Sequence, residues 1–180
     1  MDTSLTEHTL GQARSRDPEA MRRVYDAVAP GVLAYLTAKG CDDPEALTQD
    51  VLLTLFTKLP ELRGGTQGLR TFAYSVAHAR MVDDIRRRQR QPVPAPYDPD
   101  ADRRSTASAE DTLMGAAAVA ALLEGLPDPQ REVLLLRVLA DQSVEETARI
   151  MGRTSGSVKT LQRRALLALR EQLTRKEAVE

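Results

Sequence analysis

Apolar and polar positions recur with helical spacing between Ser143 and Arg170, and they divide this stretch into two helices. The first begins with the capping-box pattern of Ser143 to Glu146, and its apolar stripe runs until Gly152, a residue typical of a helix end. Thr154 or Ser155 is suited to cap the second helix. The apolar side of that helix comprises Val158, Leu161, Ala165 and Leu169; the opposite side comprises Gly156, Lys159, Thr160 and Arg163, with Arg164 at its flank. The pattern predicts a helix-turn-helix with an exposed face suited to the major groove of DNA.

Helix signals also organise the first half of the chain. Asp17-Pro18 and Asp43-Pro44 each join an N-cap residue to a proline suited to the first helical turn, so each predicts a helix start. Pro30 and Gly40 are expected to interrupt the pattern between these helices. A further helix is predicted from about Leu69 to Arg88, and arginines cluster at its end: Arg86, Arg87, Arg88 and Arg90. Such a cluster suits either a solvated helix end or phosphate contact.

A proline-rich stretch divides the chain in two. Prolines concentrate between residues 91 and 100, and the polar run that follows shows no hydrophobic period up to Asp111, which predicts a linker. Beyond it, one helix is predicted from Met114 to Leu126 and another from the cap-plus-proline pair Asp128-Pro129. An aromatic content of 3%, with no tryptophan, favours packing of Leu, Ala and Val helices over sheets.

We therefore expect an all-α fold of two small helical domains. The first domain is predicted at residues 17–92 and the second, which contains the helix-turn-helix, at residues 113–172. A flexible linker is expected at 93–112, a flexible N-terminus at 1–16 and a C-terminal tail at 173–180.

Charge and composition indicate which classes of function the sequence allows and which it disfavours. The formal net charge of -1 averages segments of opposite sign, so it does not exclude local basic surfaces for nucleic acid. Cys41 is the single cysteine and His8 and His78 are far apart, so we predict neither a disulfide nor a metal site, and no cofactor. No Gly-rich phosphate loop, His-Glu-x-x-His or Gly-x-Ser-x-Gly motif is present, which predicts a protein without a catalytic site. Neither a signal peptide nor a membrane-spanning segment is recognisable, so a cytoplasmic location without membrane insertion is expected.

The second half of the chain resembles a known family. The segment from Leu126 to Arg137, followed by Ser143 to Ala148 and Gly156 to Lys159, is similar to the promoter-binding C-terminal domain of extracytoplasmic-function sigma factors of the sigma-70 family. In the first half, Leu47 to Val51 resembles the helix by which this family docks on core RNA polymerase, and Leu69 to Asp83 resembles its promoter-melting helix. The resemblance covers roughly residues 17–92 and 113–172.

The resemblance implies a role for each group of residues. It implies a sigma factor that directs core RNA polymerase to specific promoters and assists promoter melting. The minus-35 element would be bound by Ser155, Gly156, Ser157, Lys159, Thr160, Arg163 and Arg164. The minus-10 element would be bound and melted by Phe72, Ala79, Asp83, Arg86, Arg87 and Arg88, and core polymerase would be bound by Leu47, Gln49, Asp50 and Leu52. An anti-sigma factor is a further candidate partner, and the free chain is expected to be a monomer.

Two other readings of the sequence stay open at this stage. A ligand-responsive or dimeric helix-turn-helix repressor would bind a near-palindromic site as a dimer, without polymerase. A recombinase or nuclease would need a nucleophile or metal cluster in the first domain, and Asp50, His78 and Asp83 do not form a convincing one. Dependence on core polymerase is the observation that separates the sigma factor from both.

Overall fold

The computed structural model describes residues 5–90 and 107–177, and every regular element within these ranges is an α-helix. The helices are α1 (Glu7–Arg14), α2 (Pro18–Ala38), α3 (Pro44–Lys58), α4 (Gly65–Arg90), α5 (Ala107–Leu122), α6 (Asp128–Val138), α7 (Val144–Ile150) and α8 (Ser155–Glu177). Helices α1 to α4 form the first domain and α5 to α8 the second. The predicted all-α fold is confirmed, and residues 93–106 of the predicted linker lie outside the described residues.

Local capping explains where two helices, α2 and α3, begin. The carboxylate of Asp17 accepts a hydrogen bond from the N–H of Ala20 at 2.8 Å, and that of Asp43 accepts from Ala46 at the same distance. Each satisfies one of the four N–H groups that a helix start leaves without a partner. The predicted cap at Asp128 is wrong, because α6 begins at Asp128 itself and its N-cap position is held by Pro127, which makes no side-chain cap.

Helix α2 runs without interruption through Pro30, contrary to the expected break. Proline at this point removes one backbone hydrogen bond, but packing on both flanks keeps the helix continuous, with Val28, Ala29 and Val32 buried. Gly31 is needed on the same turn, because a Cβ there would lie 2.5 Å from the hydroxyl oxygen of Tyr74. The glycine therefore lets α4 approach α2 closely.

Three predicted boundaries differ from the structure. The N-terminus was expected to be flexible over residues 1–16, but residues 7–14 form α1, whose Leu10 and Ala13 are each 1% exposed against the first domain. Helix α5 begins at Ala107, inside the stretch predicted as linker, and ends at Leu122 rather than Leu126. Helix α8 continues through the predicted C-terminal tail to Glu177.

The two domains pack against each other. The principal contact is between α2 and α5, and smaller contacts join α2 to α6 and α4 to α7. Buried side chains from both domains, such as Tyr35 and Leu36 on one side and Leu123 and Leu135 on the other, form one continuous hydrophobic cluster. Because the domains share this cluster, the described parts of the chain form one closed body.

Candidate nucleic-acid interface

The helix-turn-helix is built by α7, a short turn and α8. The hydroxyl of Ser143 accepts from the N–H of Glu146 at 3.2 Å while the Glu146 carboxylate accepts from the N–H of Ser143 at 2.7 Å, which is the predicted capping box. Gly152 has a φ of +61°, the left-handed conformation that ends a helix at little cost for glycine. Thr154 then caps α8, because its hydroxyl accepts from the N–H of Ser157 at 3.2 Å. These bonds fix the angle at which α8 leaves the turn.

Helix α8 has one buried side and one open side. Val158 and Ala165 are fully buried against the rest of the domain. The predicted groove-facing residues are exposed, namely Gly156, Lys159, Thr160, Arg163 and Arg164, while Ser155 and Ser157 are half-buried at the start of the helix. Among the described residues, no ion pair involves Lys159, Arg163 or Arg164. The three cations are therefore available to an external anion.

A second polar surface lies on the C-terminal half of α4. Ala79, Asp83 and Arg86 are all exposed and recur at helical spacing, so they share one face. A shallow depression at its end is lined by Asp83, Arg86, Arg87 and Arg90. The carboxylate of Asp83 lies 3.9 Å from Arg86, a loose pairing between two exposed side chains that leaves the guanidinium free to bind elsewhere.

Helix α3 presents a third exposed surface. Gln49 and Asp50 point to solvent, and Leu47 is half-buried and packs on the core. Leu53 is 69% exposed, an unusual position for a large apolar side chain. The face combines a carboxylate, an amide and an apolar side chain, none of which carries a positive charge that would attract a phosphate.

Neither a metal centre nor a membrane span is evident in the part of the chain that the structure describes. No group of three or more His, Cys, Asp or Glu side chains is placed to hold a metal ion there. None of the helices described is both long and apolar enough to cross a bilayer.

Two family models match the chain. The model described as Sigma-70 region 2 matches residues 22–91, and that described as Sigma-70, region 4 matches residues 116–169. The chain is 31% identical over 176 residues to the ECF RNA polymerase sigma factor SigD of Mycobacterium tuberculosis strain H37Rv, with 91% of this chain and 82% of SigD covered. It is 33% identical over 182 residues to the ECF RNA polymerase sigma factor ShbA of Streptomyces griseus, with 94% and 95% covered. The chain is an ECF RNA polymerase sigma factor.

The two matched regions coincide with the two domains of this sigma factor. Region 2 spans α2 to α4, and region 4 spans the larger part of α5 to α8, so α1 lies outside both. The fold is similar to that of CnrH, solved in complex with the cytosolic domain of CnrY, with a TM-score of 0.63 and 21% identity over 95% of this chain and 98% of that one. As an ECF sigma factor the protein acts in transcription initiation with core RNA polymerase and promoter DNA, and a repressor is not favoured.

Two of the predicted site residues of the sigma factor are placed elsewhere than expected. Leu52, predicted to bind core polymerase, is 4% exposed and packs inside the first domain, so it is not available to a partner. Its neighbour Leu53 occupies the open face instead. The signal was present in the sequence, because Thr48, Val51, Leu52 and Leu55 follow the i, i+3, i+4, i+7 pattern of a buried stripe and Leu53 falls off it.

Arg88 of the sigma factor was predicted to contact DNA, but protein groups occupy its guanidinium. It lies 3.1 Å from the buried carboxylate of Asp84 and 3.2 Å from the exposed carboxylate of Asp42, and it donates to the carbonyl oxygen of Gly40 at 3.2 Å. Arg87 also pairs with Asp84 but stays 65% exposed. Arg88 therefore joins the end of α4 to the loop after α2, because a buried carboxylate needs a cation.

Phe72 is less accessible than the role predicted for it requires. It is half-buried and packs on the hydrophobic cluster, next to Thr71, whose hydroxyl is buried in a bond to Gln142 of the second domain. The α4 surface around Phe72 thus lies beside the contact between the domains. Sequence reasoning gave no sign of this, because residues 71 and 142 belong to separate local patterns.

Proposed function

We propose that the three exposed surfaces on α3, α4 and α8 of this sigma factor bind core polymerase, the minus-10 element and the minus-35 element, respectively. The observation that carries the proposal is the open side of α8, where Lys159, Arg163 and Arg164 are exposed and unpaired among the described residues while Val158 anchors the opposite side. A helix held by its apolar side and open on its basic side is the arrangement that inserts into a major groove.

The α8 surface reads the minus-35 element as duplex. Arg163 is suited to a bidentate contact with the O6 and N7 atoms of guanine, and Lys159, one turn earlier, is suited to phosphate or base contact. Ser155 and Ser157 lie at the helix start, where backbone N–H groups and the helix dipole favour a phosphate. Gly156 and Thr160 complete the surface, with the Thr160 hydroxyl donating to the carbonyl of Gly156 at 3.0 Å.

The α4 surface acts on the minus-10 element. Ala79 and Asp83 face the bases, and Arg86 and Arg87 contact the backbone phosphates, which fits their exposure and spacing. Phe72, half-buried on α4, supplies a ring on which an unstacked base can lie, and such stacking contributes about 1 to 3 kcal/mol per base. Arg88 has a positioning role, since it is paired within the protein.

The α3 surface docks on core polymerase. Leu53 supplies the apolar centre of the contact, Gln49 and Asp50 its polar rim, and Leu47 extends the apolar part as a half-buried neighbour. The sigma factor contributes no bond-forming chemistry, which stays with the polymerase in the cytoplasm. An anti-sigma factor is its proposed inhibitor, as CnrY is a partner of CnrH, and the free chain is a monomer.

Reconstituted run-off transcription tests this assignment. Core polymerase is mixed with the sigma factor on a promoter library, and Arg163→Ala is compared with Arg175→Ala, an exposed arginine on the same helix beyond the matched region. Arg163→Ala should cost about 1 to 3 kcal/mol of promoter binding and relax preference at one minus-35 position, because one bidentate contact is lost. Arg175→Ala should transcribe as the unmodified protein does.

Two results would contradict the assignment. Sequence-specific binding by the free protein as a dimer, without polymerase, would point to a repressor. If Arg163→Ala and Lys159→Ala both folded normally and left minus-35-dependent transcription unchanged, α8 would not be the reader.

A further inference from the structure

A carboxylate of α1 bonds to the start of α4. Glu7 lies in the first turn of α1, and its Oε1 atom accepts a hydrogen bond from the backbone N–H of Thr66 at 2.7 Å. The two residues are 59 positions apart in the chain, with α2 and α3 between them. The bond therefore joins two helices that are distant in the sequence.

The start of α4 has no side chain of its own that could supply this bond. A helix leaves its first backbone N–H groups without partners, and the side chain of the N-cap residue usually satisfies one of them. The two residues before Thr66 are Gly64 and Gly65, which have no side chain. Glu7 therefore takes the part of an N-cap residue for α4, although it belongs to another helix.

Glycines make this end of α4 intrinsically weak. Gly65 and Gly68 lie in the first turn of the helix, and Gly64 lies just before it. Glycine disfavours a helix because it loses the most backbone entropy when it is ordered. Gly64 and Gly65 also have φ values of +85° and +62°, a conformation outside the helical range. The first turn of α4 therefore depends on contacts from elsewhere in the protein.

Two of these glycines are required by the contacts of the turn. A Cβ at Gly65 would collide with the carboxylate of Glu7, and a Cβ at Gly68 would collide with the carbonyl oxygen of Arg63. Gly65 thus makes room for the Glu7 carboxylate but weakens the helix, and the bond from Glu7 offsets that weakness.

Helix α1 holds the same segment at a second point. The guanidinium of Arg14, in the last turn of α1, donates to the carbonyl oxygen of Leu62 at 2.9 Å. Between the two ends of α1, Leu10 is 1% exposed, and the Thr6 hydroxyl caps the helix by accepting from the N–H of Thr9 at 3.1 Å. Because α1 is capped and packed, its carboxylate and its guanidinium are held in fixed positions beside the turn between α3 and α4.

The charge of Glu7 suits its position between two helix ends. It lies in the first turn of α1 and at the N-terminus of α4. Each helix carries a partial positive charge at its N-terminus, so one carboxylate interacts favourably with both helix dipoles. Loss of Glu7 therefore removes a hydrogen bond and a charge interaction from the start of α4.

The first turns of α4 lead to Phe72, the ring proposed to receive an unstacked base. Phe72 follows Thr66 by six residues, which is less than two turns of helix. The direction of a helical side chain is set by the backbone of the turns that carry it. Fraying at Thr66 would therefore disturb the position of Phe72, whereas Arg86 lies far along the helix and would keep its place.

We propose that Glu7 is a positioning residue for promoter melting: it caps α4 from α1 and thereby fixes the turns that carry Phe72, a role that rests on the proposed function of this ring. Glu7 needs no contact with DNA for this role. Helix α1, which lies outside both matched regions, thus takes part in transcription through the helix that it caps.

Hydrogen exchange on the full chain tests the cap. Glu7→Ala removes the acceptor, and Glu19→Ala is the matched control. Glu19 is likewise an exposed acid in the first turn of its own helix, but its ion pair with Arg23 stays within α2. Glu7→Ala should speed amide exchange at residues 66–71 by about 5- to 30-fold, the factor expected for the loss of one cap. Glu19→Ala should leave exchange there unchanged.

Transcription from two forms of one promoter tests the positioning role. One template is fully duplex, and the other carries mismatches that leave the minus-10 element unpaired. With core polymerase, Glu7→Ala should lower run-off transcription and permanganate reactivity on the duplex template by about 5-fold. The unpaired template should restore most of the transcription, because its bases are already unstacked. A merely unfolded variant would lose transcription from both templates, and such a result would overturn the proposal.

A double variant shows whether Glu7 acts through Phe72. Glu7→Ala in a Phe72→Ala background should cause no further loss on the duplex template, because the ring that Glu7 positions is already gone. Glu7→Gln keeps an oxygen that can accept from the N–H of Thr66, so it should retain more transcription than Glu7→Ala. The proposal is wrong if the two losses multiply in the double variant, or if Glu7→Gln is as impaired as Glu7→Ala.

Phe72→Ala alone separates the positioning role from the proposed function. If Phe72→Ala impairs melting and Glu7→Ala does not, Glu7 has no positioning role and the function of the ring stands. If Phe72→Ala melts the promoter as the parent protein does, the function of the ring fails and the positioning role fails with it. The cap itself would then still be seen in faster exchange at residues 66–71 of Glu7→Ala.

Discussion

Substitution of Gly156 by alanine adds one methyl group to α8 and tests whether this helix enters the major groove of DNA. It lies in the first turn of α8 on the exposed side, and a Cβ built there meets no atom within 4 Å. Gly156→Ala should therefore raise the free energy of unfolding by up to about 1 kcal/mol, because alanine has less backbone entropy to lose. It should at the same time weaken minus-35 binding, because the methyl group occupies space that the DNA backbone needs.

Gly11 provides the control, since a Cβ there also meets nothing within 4 Å but the residue lies in α1. Gly11→Ala should stabilise the protein and leave promoter binding unchanged, as measured by thermal denaturation and gel shift with the holoenzyme. Unchanged binding by Gly156→Ala would mean that DNA does not approach α8 at this turn.

At the scale of elements, the sequence predicted those structural features that depend on residues close together in the chain. The caps of α2, α3 and α7 form as expected because each cap side chain accepts from a backbone N–H only three residues away. The exposed side of α8 was also predictable, because the apolar residues of this helix recur with helical spacing. The contacts of Arg88 with Asp42 and Gly40 were not, because these residues lie 46 and 48 residues away, unlike its local partner Asp84. Asp128 failed as a cap because α6 begins at Asp128 itself, with Pro127 in the N-cap position.

Helix α1 is the element that sequence patterning missed and that can be tested most directly. Leu10 is buried against the first domain, the Glu7 carboxylate accepts from the N–H of Thr66 at 2.7 Å, and Arg14 donates to the carbonyl of Leu62 at 2.9 Å. Leu10→Ala should lower the free energy of unfolding by about 2 to 5 kcal/mol, because it leaves a cavity between α1 and the domain.

Chemical denaturation measures this loss, with the exposed His8→Ala as its control. The two bonds from α1 reach Leu62, between α3 and α4, and Thr66, in the first turn of α4, so Leu10→Ala should also speed amide exchange at residues 62–66. A loss of stability below about 0.5 kcal/mol would show that α1 does not belong to the folded domain in solution.

At the scale of the whole molecule, the contact between domains should depend on pH. Glu132 has a lowered pKa in the closed state, so its contribution is fully present above its ordinary value of 4.5 and is lost as the pH falls through the lowered value. Tyr35, Lys39, His78 and Asp128 face the same carboxylate. The free energy of unfolding should therefore fall more steeply in acid for the parent protein than for Glu132→Gln.

Denaturant titrations from pH 7 to pH 3 on the parent protein and on Glu132→Gln measure this difference. The difference between the two proteins should be constant near neutrality and shrink below pH 4.5. A difference that stays constant down to pH 3 would show that Glu132 gains nothing from the contact.

The Glu146 carboxylate takes part in two contacts at once, and this affects how fast the protein can respond. It closes the capping box of α7 with Ser143 and also accepts from Gln67 of the other domain. When Gln67 leaves, the bonds within α7 remain, so the helix-turn-helix has nothing to refold. Opening is then a rigid-body movement, which occurs in microseconds to milliseconds. Separation of the two domains at this contact therefore requires no folding step.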